Sequence, residues 1–368
     1  MHIHRVITVA FLLVWGMMDV ALAVSPTRTP HHYLYDSWQI EEGLPQNFAK
    51  RVLQTSDGYL WIATQEGLVQ YDGLRFVVYD QKNTPAIRDP EINDFVEFPV
   101  GRLWVATRDG LLLREEGVFK RFDQASGLPN SEITALVRGA ADELWVGTRA
   151  GLALVKGLAV QTLDAAEGIE IRAMDVAEGG VLWLGTNDGL FRFVDNQLEE
   201  VFAGEQKVGR GVRSILVEKD ALWIGTEGRG LWRRAQGNWE NFSVSSDLGA
   251  DRIRHIRRDR QGALWISTFQ KGLIRYYGSE FTSITVEDGL NTNGIEYSYE
   301  DFEGSLWVGT GSGGLNRLRD GRFTTLTRKD GLVDEMVWAV FQTKNGGMWI
   351  GTELGITSFY RGVTNTYT

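Results

Sequence analysis

A chain of 368 residues with 43 glycines, 7 prolines and no cysteine is long enough to bury a substantial core and too rich in tight-turn residues to be a disordered or collagen-like polymer. The lack of cysteine excludes disulfides, thiolate catalysis and cysteine-based zinc sites. A net charge of -10 argues against general nucleic-acid binding, because phosphate neutralisation needs a concentrated basic surface.

The first segment reads as an address label. Arg5 supplies a positive start, Val6 to Met18 is apolar, and Ala21-Leu22-Ala23 forms an A-x-A cleavage site, so residues 1–23 are expected to be a signal peptide removed near Ala23 on export to the periplasm. The apolar run is short for a membrane span, which needs roughly 20 residues. Residues 33–40, "YLYDSWQI", follow as a lone strand-like segment, and residues 24–368 are expected to form the exported domain.

From residue 58 onward one phrase recurs: "GYLWIATQEGLVQYDG", "GRLWVATRDGLLLREEG", "DELWVGTRAGLALVKG" and five more of the same form. Its tryptophans are Trp61, Trp104, Trp145, Trp183, Trp223, Trp265, Trp307 and Trp349, separated by 43, 41, 38, 40, 42, 42 and 42 residues. A period near 40 indicates either helical pairs or four-stranded propeller blades. Short β-branched and aromatic runs between glycine-rich turns select the strands. The sixth unit resolves into 249–257, 263–268, 272–276 and 281–286, here termed strands a to d from the axis outward.

The "LWIGT" strand carries large apolar side chains at successive positions, so both its faces must be covered, as in radially packed blades. The tryptophans are therefore expected to be structural fillers between blades, with the indole N–H reaching a carbonyl. The small residue two positions later implies close approach of a neighbour. The threonine that follows is expected to bond across the b-to-c hairpin, and the glycine at its end to take a positive φ.

The units "DRQGALWISTFQKGLIRY" and "DFEGSLWVGTGSGGLNRL", with "DGLN" and "SGLPN" ahead of inner strands, resemble the two-component regulator propeller family over nearly the whole exported chain. The resemblance implies an all-β propeller serving as the extracytoplasmic sensor region of a bacterial receptor. In that family propellers, often two seven-bladed rings in tandem, precede an Ig-like domain, a membrane helix and a histidine kinase or diguanylate cyclase. The sequence ends at Thr368, soon after the eighth motif, so attachment to a membrane and signal output are expected only through downstream segments. Such receptor domains, or another copy of the propeller, are the expected protein partners.

Aligned on the glycine of the "DGL" turn, "YLYDSWQIEEGLP" matches "FTSITVEDGLN" and "FTTLTRKDGLV", putting Tyr35 and Trp38 where strand d has Phe281 and Ile284. Residues 33–40 are thus an orphan outer strand, expected to complete the last blade and remove an open edge. Eight inner-strand sets then predict eight blades in one ring. The alternative is a seven-bladed ring with the eighth unit beginning a second.

Twelve residues before most of the tryptophans stands an apolar residue, and the next position is irregular: Lys50, Asn93, Thr134, Arg172, Arg213, Arg254, Glu296 and Trp338. Repeats act as each other's controls, so scaffold positions recur and functional ones diverge. Lys50, Arg172, Arg213 and Arg254 would focus a positive field on the axis. With Trp338, Tyr297 and Phe269 as stacking surfaces, the expected partner is an acidic or polyhydroxylated small molecule. The bland reading is a channel rim whose charges pair with Asp94, Glu296 and Glu335.

Other chemistry finds little support. Gly309 to Gly314 spell G-x-G-x-x-G inside a hairpin instead of ahead of a helix. His255 is a lone histidine on an inner strand, read as packed, and no metal-ligand spacing recurs. No cofactor is expected; a quinone-dehydrogenase reading lacks the right glycine offset. The remaining alternatives are a lyase-type propeller enzyme and a protein-interaction scaffold.

Overall fold

Each motif threonine closes its hairpin by donating its hydroxyl to the carbonyl of the glycine that ends the turn. The Oγ1-to-O distance is 2.8 Å at Thr64–Gly67, Thr310–Gly314 and Thr352–Gly355, as the repeat predicts. At Gly67, φ is +144° and a Cβ would stand 2.5 Å from the carbonyl oxygen of Tyr79 on strand d. Only glycine lets strand d approach that closely.

The protein is described by a computed structural model over residues 24–140, 142–243, 248–321, 326–360 and 363–368. Residues 1–23, read above as the leader, lie outside the described residues. Among the described residues there are eight four-stranded antiparallel sheets and a two-stranded hairpin, Phe202–Ala203 with Gln206–Lys207. No helix there is long and apolar enough to cross a membrane. The chain divides into two compact units, residues 1–320 and 321–368.

The first unit contains seven sheets with inner strands Arg51–Gln54, Ile92–Glu97, Ile133–Arg138, Ala173–Val176, Val212–Val217, Ile253–Arg258 and Ile295–Glu300. The recurring apolar residue at the head of each inner strand presses on the small residue of the preceding blade. A Cβ on Gly147 would meet Ile171 at 2.8 Å, on Gly185 Val212 at 2.4 Å, and on Gly225 Ile253 at 2.6 Å. The same residues donate their backbone N–H backwards: Ile92 to Thr64, Ile171 to Thr148 and Val212 to Thr186. Sequence identity at these two positions thus encodes blade-to-blade stacking.

This contact also closes the ring after seven blades. In blade seven, Gly309 meets Ala49 of blade one, with a Cβ-to-carbonyl distance of only 2.4 Å, and Ala49 N–H donates to Thr310. Trp307, Tyr299 and Leu315 share a core with Val52, Leu60 and Ile62. The outer strand of blade seven is Tyr33–Trp38, paired in register with Leu315–Asp320. Trp38 stacks on Trp307 at 5.1 Å, Tyr33 is buried and receives a hydrogen bond from Arg275, and Asp36 holds Arg317 and Arg319 at 2.9 Å.

Two expectations are corrected here. The closing strand completes the seventh sheet and not the last one, because its aromatic face fits the Trp307 wall. The single eight-bladed ring over 24–368 gives way to seven blades and a separate eighth sheet, Val337–Gln342, Met348–Thr352, Gly355–Tyr360 and Val363–Tyr367, in the second unit.

The tryptophans fill the spaces between blades as expected: Trp61, Trp223 and Trp265 are at most 1% exposed, whereas Trp349 of the second unit is 39% exposed. Their N–H groups mostly find side chains. Trp265 and Trp307 donate to Asp259 and Asp301 at 2.8 and 2.7 Å, Trp61 to Thr55 and Trp223 to Glu218; Trp104 reaches a carbonyl, that of Phe98.

Candidate functional site

The irregular position of each inner strand is a bulged residue. Pairing skips Asn93, Thr134, Arg213, Arg254 and Glu296, and Lys50 and Arg172 share a partner with the residue after them. A bulge re-aims a side chain, and here all seven line an axial cavity of about 300 Å³, one from each blade. Tyr297 and His255 line it too. Of the other predicted residues, Trp338 lies on the second unit, exposed, and Phe269 lines a smaller pocket of about 60 Å³ beside Arg252.

The cavity wall is charged but balanced: Lys50, Arg51, Arg172, Arg213 and Arg254 face Glu91, Asp94, Glu132, Glu170 and Glu296. The positive field expected of Lys50, Arg172, Arg213 and Arg254 is therefore offset, with Asp94 and Glu296 among the acids that pair with the wall's bases, as the bland reading has it. Lys50 Nζ sits 2.5 Å from Asn93 Oδ1 and 3.4 Å from Glu91; burial lowers its pKa against the pull of Glu91. Arg172 pairs with Glu170 at 3.4 Å, and Arg254 lies 3.7 Å from Glu296.

Some wall residues also lock blades together. Asn93 donates to the Ile133 carbonyl at 2.7 Å, and Thr134 to that of Ile171 at 2.5 Å. Asp94 accepts from Leu136 N–H of the next blade at 3.0 Å and pairs with Arg51 at 3.1 Å; burial pushes its carboxyl up against those contacts. His255 stacks on Tyr297 at 3.8 Å, and Arg51 covers the same tyrosine at 4.8 Å. Burial, with Arg51 and Arg257 nearby, depresses the His255 pKa well below its usual value, so the ring is neutral at physiological pH. The packed reading of this histidine fits its place.

The residue after the motif threonine is a second irregular position, of which sequence reasoning singles out only Phe269; in blades two to four it meets the acid just ahead of its own blade's inner strand. Arg108 reaches Glu91 at 3.1 Å, Arg149 reaches Glu132 at 3.0 Å, and Asn187 donates to Glu170 at 2.9 Å. Glu227, the equivalent in blade five, accepts from Arg213 at 3.2 Å, Arg254 at 2.7 Å and Arg252 at 2.5 Å. Burial would raise the Glu227 carboxyl, but the three guanidiniums together hold it below its ordinary range. Arg252 and Arg254 in turn lie over Phe269 at 3.9 and 4.8 Å, so that ring serves as a platform for arginines. A comparison of b-to-c loops across repeats could have found these partners, since their variation follows that of the inner strand.

The fold and site define a seven-bladed propeller with a polar axial cavity to which every blade contributes a non-repeating residue. The family model for the two component regulator propeller matches residues 43–66, 247–270 and 331–353 of the chain. Among solved structures it is similar to the extracellular domain of a putative hybrid two component system from B. thetaiotaomicron, at 25% identity and a TM-score of 0.76 over 91% of this chain and 49% of that one. A second such domain from the same organism matches at 20% identity and a TM-score of 0.64, over 91% of this chain and 48% of its own. The chain thus spans about half the length of these relatives. A streptogramin B lyase shares the fold alone, at 13% identity and a TM-score of 0.65 over 80% of this chain and all of the lyase. No curated protein matches the chain in sequence.

Proposed function

We propose that this chain is an exported sensor propeller whose axial cavity captures a small, polar, acidic or polyhydroxylated molecule on behalf of a signalling receptor. One observation carries the reading: in the first unit, the seven residues that break the repeat at one offset of the inner strand are the seven bulged residues of the cavity wall. A scaffold without a ligand has no need for divergence there. The similarity to extracellular domains of two component systems supports export and sensing. Binding is favoured over catalysis because the wall's bases and acids are engaged with one another, and its histidine is stacked and neutral. About 300 Å³ is the lower end of ligand-pocket sizes, and corresponds to roughly ten waters or one monosaccharide.

The test is a thermal-shift screen of acidic, neutral and basic small molecules on the exported chain, repeated with Arg172→Ala and Tyr297→Leu. A ligand that binds only the folded ring raises Tm by mass action. Hits should lose their shift in both variants. Shifts that survive both would remove binding from the axis, and no shift with any compound would overturn the ligand-capture reading.

A further inference from the structure

Three guanidiniums on one carboxylate make the blade-five to blade-six side of the cavity unlike the rest. Elsewhere around the wall each acid meets one or two bases, as at Glu132 with Arg149 and Glu91 with Lys50 and Arg108. At Glu227 the cluster of Arg213, Arg252 and Arg254 still leaves one positive charge in excess after Glu296, 3.7 Å from Arg254, is counted. Two of its members, Arg213 and Arg254, line the cavity, and Arg254 is only 14% exposed at its side chain. Each guanidinium has five donors in a planar fork suited to carboxylates, and one glutamate cannot saturate three of them. Phe269 fixes the planes of Arg252 and Arg254 from behind. Glu227 itself stands in the b-to-c loop, followed by Gly228 at φ +107° and Gly230 at φ +72°. It therefore reaches the cluster from a connecting segment and not from the inner wall.

We propose that Arg213, Arg252 and Arg254 form a carboxylate subsite of the axial cavity, and that Glu227 occupies it as an internal placeholder which the acid group of a sugar acid displaces. This rests on the axial-cavity reading above and narrows it to a ligand class. Entry of the ligand exchanges one carboxylate for another, so the arginines keep their charge-assisted bonds throughout. The displaced loop residue is then the part of the ring that differs between empty and occupied states.

The experiment measures binding of gluconate and of glucose, matched in size and differing in charge, by calorimetry to the wild-type chain and to Glu227→Gln and Glu296→Gln. Glu296 also lines the cavity near Arg254, so its variant removes the same charge without emptying the cluster. Freed from the placeholder, Glu227→Gln should bind gluconate roughly tenfold or more tighter, as expected when a competing charge-assisted hydrogen bond is lost. Glu296→Gln should change it by about threefold or less, as for a carboxylate that meets only one of the three arginines, at the longer distance of 3.7 Å, and glucose should be unmoved by either. Arg254→Gln should abolish the gluconate preference. Equal tightening in both variants would overturn the placeholder. Glucose binding as well as gluconate would overturn the carboxylate subsite while leaving the cavity as the ligand site, and gluconate binding to no variant would overturn the subsite as well.

Discussion

Gly309→Ala tests ring closure at a single atom. Gly309 lies on strand b of blade seven, and its added Cβ would stand 2.4 Å from the Ala49 carbonyl oxygen and 3.2 Å from its carbonyl carbon. That is more than an ångström short of ordinary contact at about 3.5 Å. The obstacle is backbone on a fully buried residue, so a side-chain rotation cannot relieve it. Overpacking of this kind costs about 1–3 kcal/mol, while replacing glycine by alanine returns roughly 0.4–1 kcal/mol through the unfolded chain. A net loss near 1.3 kcal/mol should lower Tm by about 2–4 °C for a unit this large. Gly351→Ala supplies the control. It is the same motif position in the second unit, where the nearest atoms are those of Ala339 at 3.8 Å, and stability there should be unchanged or slightly raised. Calorimetric melts of both variants decide it. A Gly309→Ala protein that melts like the wild type, or a Gly351→Ala cost of equal size, would refute closure between blades seven and one.

Trp223→Ala should cost roughly 3–5 kcal/mol, since it empties a fully packed site between blades and removes the indole hydrogen bond to Glu218, which retains its pair with Arg258; Trp349→Ala, at 39% exposed, should cost clearly less in parallel denaturant melts. Asp175 accepts two backbone N–H bonds, yet burial pushes its pKa to about 6 from 3.8. The folded state therefore holds this proton more tightly, so its stabilisation is complete below about pH 4 and is lost as pH rises through about 6, worth about 3 kcal/mol in all. Urea melts of wild type and Asp175→Asn from pH 4 to 7 should diverge, the wild type losing ground to the variant as pH rises. Parallel curves would show that the carboxyl is not strained by its burial.

The blade grammar was readable from the sequence because it is local. Tryptophan, the small residue two positions on, the threonine and the glycine each act on a hairpin or on the next blade, so every unit states the rule again and the recurrence reveals it. The axial wall was readable for the same reason in reverse, as Lys50, Asn93, Arg172, Arg213, Arg254 and Glu296 break the repeat at one offset. What the sequence could not state was how many units share a ring. Residues 33–38 match any outer strand, and Trp338 holds the same register as Glu296, yet one closes blade seven and the other belongs to a separate sheet. That choice depends on the Gly309–Ala49 approach and on Trp38 stacking against Trp307, contacts between residues some 260 positions apart. The neutralised wall and the three-arginine hold on Glu227 are likewise decided in three dimensions, because a charge's worth is set by the partner the closed ring brings beside it.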